Sequence, residues 1–430
     1  MALDNSTVRQ ITGSVVETEE LSGNIGDLCY IIPEDKNKEP VRAEIIGFRE
    51  KKALLLPFGE LADIVPGCKV RVTGNVLQVE VGEQLIGRIL NGLGEPIDGK
   101  GSINSGIFHP VYNDCPDSSV CLPVNKPLST GCKVIDSVLT FGKGQRLGLF
   151  AGGGMGKSTT LGLIARENGA DINVLIFVGE RGRELRDLVE HVLKEKGLGR
   201  SVIIVATSDR PAIEKIKCCY TGIAIAEYFR DNGKDVMMMV DTVTRFAMAQ
   251  REIGLATGEK PEAKCYTPSV FTVLSKLLNR PASTGTGTIT SLYTVLVDGD
   301  DMDEPVAASV HSALDGHIKL KRKLVYQQIF PCIDIAASKS PFFKEITTEE
   351  HKKAARAYLE AWSLYEDAED LISIGAYKAG GNPKLDWAVK NFERIAEFRK
   401  QKLSDICPFD TTIKNLIELM SSDESPWYSN

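Results

Sequence analysis

Eight residues, Ala151-Gly152-Gly153-Gly154-Met155-Gly156-Lys157-Ser158, constrain this chain more than any other stretch. They follow the apolar run Leu147-Gly148-Leu149-Phe150 and lead into Ser158–Ala165, which reads as a helix. Strand, glycine-rich turn, Gly-Lys-Ser and helix make a phosphate-binding loop. Glycines let successive backbone N–H groups wrap a phosphate without Cβ clashes. The helix N-terminus adds partial positive charge. Gly152, Gly153, Gly154, Met155, Gly156, Lys157, Ser158 and Thr159 are thus the expected nucleotide-binding residues. Lys157 reaches the β- and γ-phosphates, and the Ser158 hydroxyl is a Mg²⁺ ligand. The first position is Ala151 where the strict pattern has glycine.

Such a loop needs a parallel sheet behind it, and the sequence supplies one. Buried-type runs at Val174–Val178, Val202–Ala206, Val236–Val240, Ile289–Val297 and Ile333–Ala336 read as strands covered on both faces. Helical patterns, such as Arg183–Lys196 and Ala212–Arg230, lie between them. Before this core, short runs including Leu28–Ile32, Ala43–Phe48 and Val76–Val81 alternate with turn signals, as in a small antiparallel barrel. The passage Gly87–Gly101 is rich in Gly and Pro and reads as a hinge. Beyond residue 346, Thr347–Leu371, Pro383–Leu403 and Asp410–Met420 have helical spacing. The expected organisation is α/β: a barrel over 1–83, a P-loop nucleotide-binding core over 84–345 and a helical domain over 346–430.

Charge narrows the partners. Residues 1–81 hold 9 Lys/Arg against 13 Asp/Glu, with Tyr30, Phe48 and Phe58 as the only aromatics. A groove for single-stranded nucleic acid needs cations and stacking platforms, so no nucleic-acid partner is expected. The net charge of −7 points the same way. No apolar run approaches the ~20 residues of a membrane span, and the N-terminus lacks the basic-then-apolar form of a signal peptide. A cytoplasmic location is expected. The ten cysteines include no Cys-x-x-Cys pair and read as reduced thiols, and the five histidines form no metal-ligand spacing.

Val236-Met237-Met238-Met239-Val240-Asp241 ends a buried strand in a carboxylate, placing Asp241 to hold Mg²⁺ through a water. A strand-end helix cap is the plainer alternative, since Thr242 and Thr244 follow. The run Val174–Val178 continues into Gly179-Glu180-Arg181-Gly182-Arg183-Glu184. Glu180 is placed to polarise a water for in-line attack on the γ-phosphate. Glu184 is its rival, with a solvated or ion-paired role in the next helix as the plainer reading. Arg181 and Arg245 can neutralise charge on the transferring phosphoryl group, or form structural ion pairs. Phe330 can stack on adenine, or sit in the core.

Several motifs resemble catalytic subunits related to rotary ATP synthases: Thr130–Asp136, Gly142–Arg146 and Gly179–Glu184. Asp241–Ile253, Tyr266–Phe271, Tyr293–Met302 and Leu314–Ile318 are similar, more narrowly, to type III protein-export ATPases. The flavour is closest to the flagellar export ATPase, with the virulence-secretion injectisome ATPase as the near alternative. The resemblance implies a homohexamer with ATP and Mg²⁺ at subunit interfaces. It implies peripheral association with the inner face of the membrane and ATP-driven release of export substrates from their chaperones. The implied partners are a stator-like regulator, a coiled-coil central stalk protein, an export-gate membrane protein and chaperone–substrate complexes. Lys157, Ser158, Glu180, Asp241 and Arg245 match the family's phosphate, magnesium and catalytic positions. Phe330 stands where the family has an adenine-stacking tyrosine.

The departures carry their own expectations. Where the family has Ser-Arg, with the arginine entering the neighbouring subunit's site, this chain has Ser340-Pro341. An arginine supplied in trans is worth roughly 10³–10⁵ in rate. Lys339 is the nearest cation, but a point charge on another backbone position is a poor replacement. Slow turnover is expected, and a weakly active or silent nucleotide-binding ring is the alternative reading. Cys265 replaces the family's glycine and Lys260 its proline. The chain enters the barrel within about a dozen residues, so the amphipathic leader used for regulator binding is expected to be short or missing.

Overall fold

The computed structural model describes residues 5–35, 37–297, 299, 301–422 and 425–428. Asp298 and Asp300 of the Tyr293–Met302 motif lie outside the described residues.

Six antiparallel strands close a barrel: Asn5–Thr12, Val15–Glu20, Asp27–Ile32, Val41–Arg49, Lys52–Pro57 and Lys69–Val76. Alternation decides what faces inward. Cys29 and Ile31, Ala43 and Ile45, and Val70 and Val72 are buried inside, while their neighbours face out. Closure leaves no unpaired edge. The sequence run Val76–Val81 does not form one barrel strand. Val76 ends the last barrel strand, and Gln78–Val81 pairs instead with Ile107–Pro110 in a separate two-stranded sheet. Val79 and Val81 are buried in the core of the central sheet, which pulls the chain away from the barrel.

The central sheet has eight strands. Their order across the sheet is Ile333–Lys339, Gly316–Leu320, Arg146–Ala151, Thr288–Leu296, Asp235–Asp241, Ile172–Val178, Ser201–Ala206 and Ile89–Asn91. Ile172–Val178 and Ser201–Ala206 are buried along their whole length, as a sheet covered on both faces requires. Two expectations are corrected. The Gly87–Gly101 passage is not a plain hinge: it contributes the edge strand Ile89–Asn91, pinned by the Arg88–Asp98 ion pair at 2.7 Å. The opposite edge, Ile333–Lys339, runs antiparallel to its neighbour Gly316–Leu320, across a connection that contains the short helix Arg322–Tyr326.

The predicted helix Arg183–Lys196 is broken. It comprises Gly182–Asp187, a wide π-type turn over Leu188–Leu193, and Lys194–Leu198. The helix Ala212–Asp231 is continuous and buried on nearly all sides between sheet and barrel. Lys217 on that helix is fully buried and paired to Glu44 of the barrel, with its ammonium 3.8 Å from the Tyr112 ring centre. Burial lowers the Lys217 pKa to about 8 and raises that of Glu44.

Three helices follow: Glu349–Ser373, Pro383–Arg399 and Phe409–Met420. Thr348 caps the first, accepting from the His351 N–H at 3.3 Å, and Asn382 caps the second. Their apolar faces, including Tyr358, Trp362 and Ile395, join one core with Leu147, Leu149 and Ile333 of the sheet. The helical unit packs on the edge strand Ile333–Lys339 and on the short helix Lys133–Val138, which tie it into the sheet's core. Among the described residues, no helix is long and apolar enough to cross a membrane.

Candidate nucleotide site

The strand Arg146–Ala151 ends at the glycine turn, and the helix Lys157–Glu167 starts directly after it. Gly154 and Gly156 take left-handed backbone angles, φ 75° and 80°, with open space where a Cβ would point. Side chains there would be strained and would fill the cradle. Gly152, Gly153, Gly154, Gly156, Lys157, Ser158 and Thr159 line one wall of a cavity of about 620 Å³. Glu180, Arg181, Glu184 and Arg245 line the other. Met155 is buried beneath the loop.

Strand order brings these groups together. The strands ending in Asp241 and near Glu180 are adjacent, and the strand Thr288–Leu296 separates Asp241 from the phosphate loop. Thr294 on that intervening strand donates to Asp241 Oδ1 at 2.7 Å. The Lys157 ammonium also donates to Asp241 Oδ1 and lies 3.7 Å from Glu180 Oε1. Asp241 is a buried carboxylate held by a cation and a hydroxyl, not a helix cap. Thr242 takes the cap, accepting from the Arg245 N–H at 3.2 Å.

Burial pushes the Glu180 carboxyl up to about 7; Lys157 opposes the rise, while the Asp241 charge and a hydrogen bond that protonated Glu180 donates to Glu184 add to it. A carboxylate poised near neutrality is suited to taking a proton from water. Glu184 does lie in the following helix, but it faces the cavity rather than bulk solvent alone. Its contact with Glu180 is the part that spacing in the sequence left open. Thr294 is the residue that sequence reasoning missed; a threonine at the end of a buried strand, one strand from Asp241, is its only signal.

Arg181 is exposed beside Glu180, and Arg245 is exposed on the facing helix. Gly179 explains the placement of Arg245. At φ 69°, a Cβ on Gly179 would lie 3.1 to 3.4 Å from the Arg245 stem. The arginine therefore lies flat across this glycine.

A second cavity, about 430 Å³, adjoins the first through Gly156 and Thr159. Met155, Leu163, Phe330 and Pro331 line it, with Gln401 across from them. Phe330 is 43% exposed, so its ring faces this cavity and not the core. The backbone of Gln401 donates to the Phe330 carbonyl at 2.8 Å, and its side chain bridges Lys133 N and Gly131 O at 2.8 and 2.7 Å. The helical domain thus closes the cavity.

The strand Ile333–Lys339 leads to Ser340 and Pro341 on the sheet's far edge. Ser340 is buried and donates to the Thr140 carbonyl at 3.0 Å. Pro341 and Lys339 are exposed. No cationic side chain stands at 341.

Comparison with known proteins decides the family. Residues 131–340 match the nucleotide-binding domain of the ATP synthase alpha/beta family, and residues 8–74 its beta-barrel domain. Residues 347–418 match the T3SS EscN ATPase C-terminal domain. The flagellum-specific ATP synthase of Bacillus subtilis is 46% identical over 97% of this chain and 95% of its own length. The chain belongs to the family of flagellar and type III secretion ATPases. The type 3 secretion system ATPase of Xanthomonas euvesicatoria is 40% identical over 95% of this chain and 92% of its own. The assembled ATPase EscN of enteropathogenic E. coli superposes with a TM-score of 0.91 at 38% identity, covering 96% of this chain and 99% of EscN. EscN in complex with its central stalk EscO superposes at 0.89, with the same identity and coverage. This family member is a P-loop ATPase: the barrel, RecA-like core and helical domain are those of its relatives.

Proposed function

We propose that this export ATPase is the ATP-hydrolysing motor of a flagellar type III export apparatus. The observation that carries the proposal is the phosphate cavity, where Lys157, Glu180 and Asp241 converge in a chain similar along nearly its whole length to flagellum-specific relatives. An injectisome ATPase is the near alternative.

The phosphate loop binds the β- and γ-phosphates, and the adenine stacks on Phe330. A Mg²⁺ ion fits the donor set. Ser158, with a hydroxyl at the loop, and Asp241, whose two hydrogen bonds both fall on Oδ1, would hold it. When bound, the ion neutralises charge on the β- and γ-oxygens. Glu180, as the carboxylate, accepts a proton from the water that attacks phosphorus in line. Arg181 and Arg245 face the charge that builds on the γ-oxygens. Thr294 holds Asp241 in place, and Glu184 tunes Glu180.

The active assembly is a homohexamer in the cytoplasm, attached peripherally at the inner face of the membrane. Its partners are a central stalk, a stator-like regulator, an export gate and chaperone-bound substrates, and not nucleic acid. EscN has been seen assembled and with a central stalk, which supports the assembly and the stalk. Pro341 favours a second reading within the first: each site lacks an arginine from its neighbour, so turnover is slow and the ring's assembly carries part of the function.

Complementation tests the motor. In a strain lacking this chain, the wild-type protein restores flagellar proteins to the medium and Lys157→Ala does not. Equal secretion with both would leave a structural ring as the only role.

A further inference from the structure

A third cavity, about 290 Å³, opens beside the nucleotide cavity and shares Gly179, Ser208 and Arg245 with it. Its remaining wall brings Lys215 and Arg251 to the same space, with Glu252 as the one carboxylate and Leu255 at 46% exposure. Arg245, stretched over Gly179, is the partition between the two cavities.

The three cations here have no ion-pair partner among the described residues. Arg245 contacts the Met248 sulfur at 3.7 Å, Lys215 donates to the Ser208 carbonyl at 2.9 Å, and Arg251 lies 5.8 Å from the Tyr266 ring centre. Three cations against the single carboxylate Glu252 leave the space net positive, which favours a further anion. The buried cations Arg280 and Arg88 are each paired closely, with Glu227 at 2.6 Å and Asp98 at 2.7 Å, whereas Arg245, Lys215 and Arg251 reach solvent at the cavity wall. The unpaired cluster therefore marks an anion site, and it adjoins the place where hydrolysis sets an anion free.

We infer that this cavity receives inorganic phosphate as it leaves the nucleotide site, with Arg245 handing it from the γ position to Lys215 and Arg251. The inference rests on the hydrolytic reading of the nucleotide site. ADP, held by the loop and by Phe330, keeps the entrance side closed behind the departing phosphate. A lateral exit past Gly179 lets phosphate leave first.

The test uses the assembled protein with MgADP and beryllium fluoride, which fills the γ position. Equilibrium dialysis with radiolabelled phosphate then reads the neighbouring cavity alone. Wild-type protein should bind phosphate, and Lys215→Gln/Arg251→Gln should bind it roughly tenfold or more weakly, from loss of two charged donors. MgADP affinity should be equal in the two. In rapid mixing with ATP, phosphate release should slow in the variant while the hydrolysis burst keeps its rate. Failure to trap beryllium fluoride would overturn the hydrolytic reading and this proposal together. Trapping without phosphate binding, or with equal phosphate binding in the variant, would overturn this proposal alone. Loss of assembly in the variant, with no phosphate bound by wild type, would assign the cations to a neighbouring subunit's carboxylate and likewise overturn it.

Discussion

Replacing Glu180 by glutamine should make the nucleotide-free protein more stable at pH 8 while removing its chemistry. The carboxyl is pushed from its usual 4.5 up to about 7, chiefly by burial, with a side chain only 20% exposed. The folded state therefore holds a proton that the unfolded chain has released. Stability falls as pH rises from about 4.5 to 7, and the loss is complete above 7. Holding the group near 7 corresponds to roughly 3 kcal/mol between its two forms, which solvent screening trims to about 2 kcal/mol. Glutamine keeps the shape and cannot ionise. The variant should match wild type near pH 4.5 and exceed it by about 2 kcal/mol at pH 8, a melting shift of roughly 2–4 °C for a protein of this size. Thermal melts of both proteins without nucleotide, across that range, read the difference directly. A variant no more stable than wild type at pH 8, or a difference independent of pH, would refute the claim that Glu180 is held as a near-neutral base.

Gly179→Ala places a methyl against the Arg245 stem at φ 69°, and should cost about 1–2 kcal/mol of strain while lowering kcat more than nucleotide affinity; steady-state kinetics separate the two. Phe330→Ala should weaken ATP binding by about 1–3 kcal/mol, the worth of one base–aromatic stack, as titration with a fluorescent ATP analogue will report. Pro341→Arg should raise turnover of the assembled ring at least about tenfold, a fraction of what a trans arginine can supply; unchanged turnover would show that 341 does not reach the neighbouring site. Lys217→Met should destabilise the protein by about 3–5 kcal/mol in urea unfolding because Glu44 is left buried alone, and Glu44→Leu in the same chain should recover much of it.

The phosphate loop and most strands of its sheet were legible because each depends on local pattern: glycines before Gly-Lys-Ser, and apolar runs long enough to cross a sheet. The barrel was legible through alternation, yet Val76–Val81 misled, because a strand can leave one sheet for another without changing its pattern. The hinge at Gly87–Gly101 hid an edge strand for the opposite reason, since three residues are too few to show a period. Ile333–Ala336 gave no sign of its antiparallel direction, because an apolar run reads the same whichever way its strand pairs. The residues of the site that escaped notice act across strands. Thr294 meets Asp241, Glu184 meets Glu180, and Arg245 lies on Gly179 only after the sheet is assembled. Phe330 read equally as core or ligand aromatic until the helix Pro383–Arg399 and Gln401 closed a cavity in front of it.

The claim beneath all of this is that one chain supplies a base, a phosphate cradle and a metal carboxylate, and that hydrolysis runs through Glu180. Steady-state phosphate release from MgATP by the purified protein, measured over a range of protein concentrations, tests it most directly. Wild type should turn over slowly, with specific activity rising as the ring assembles, and Glu180→Gln should fall below it by roughly 10²–10⁴. Equal turnover by the two proteins would contradict the account.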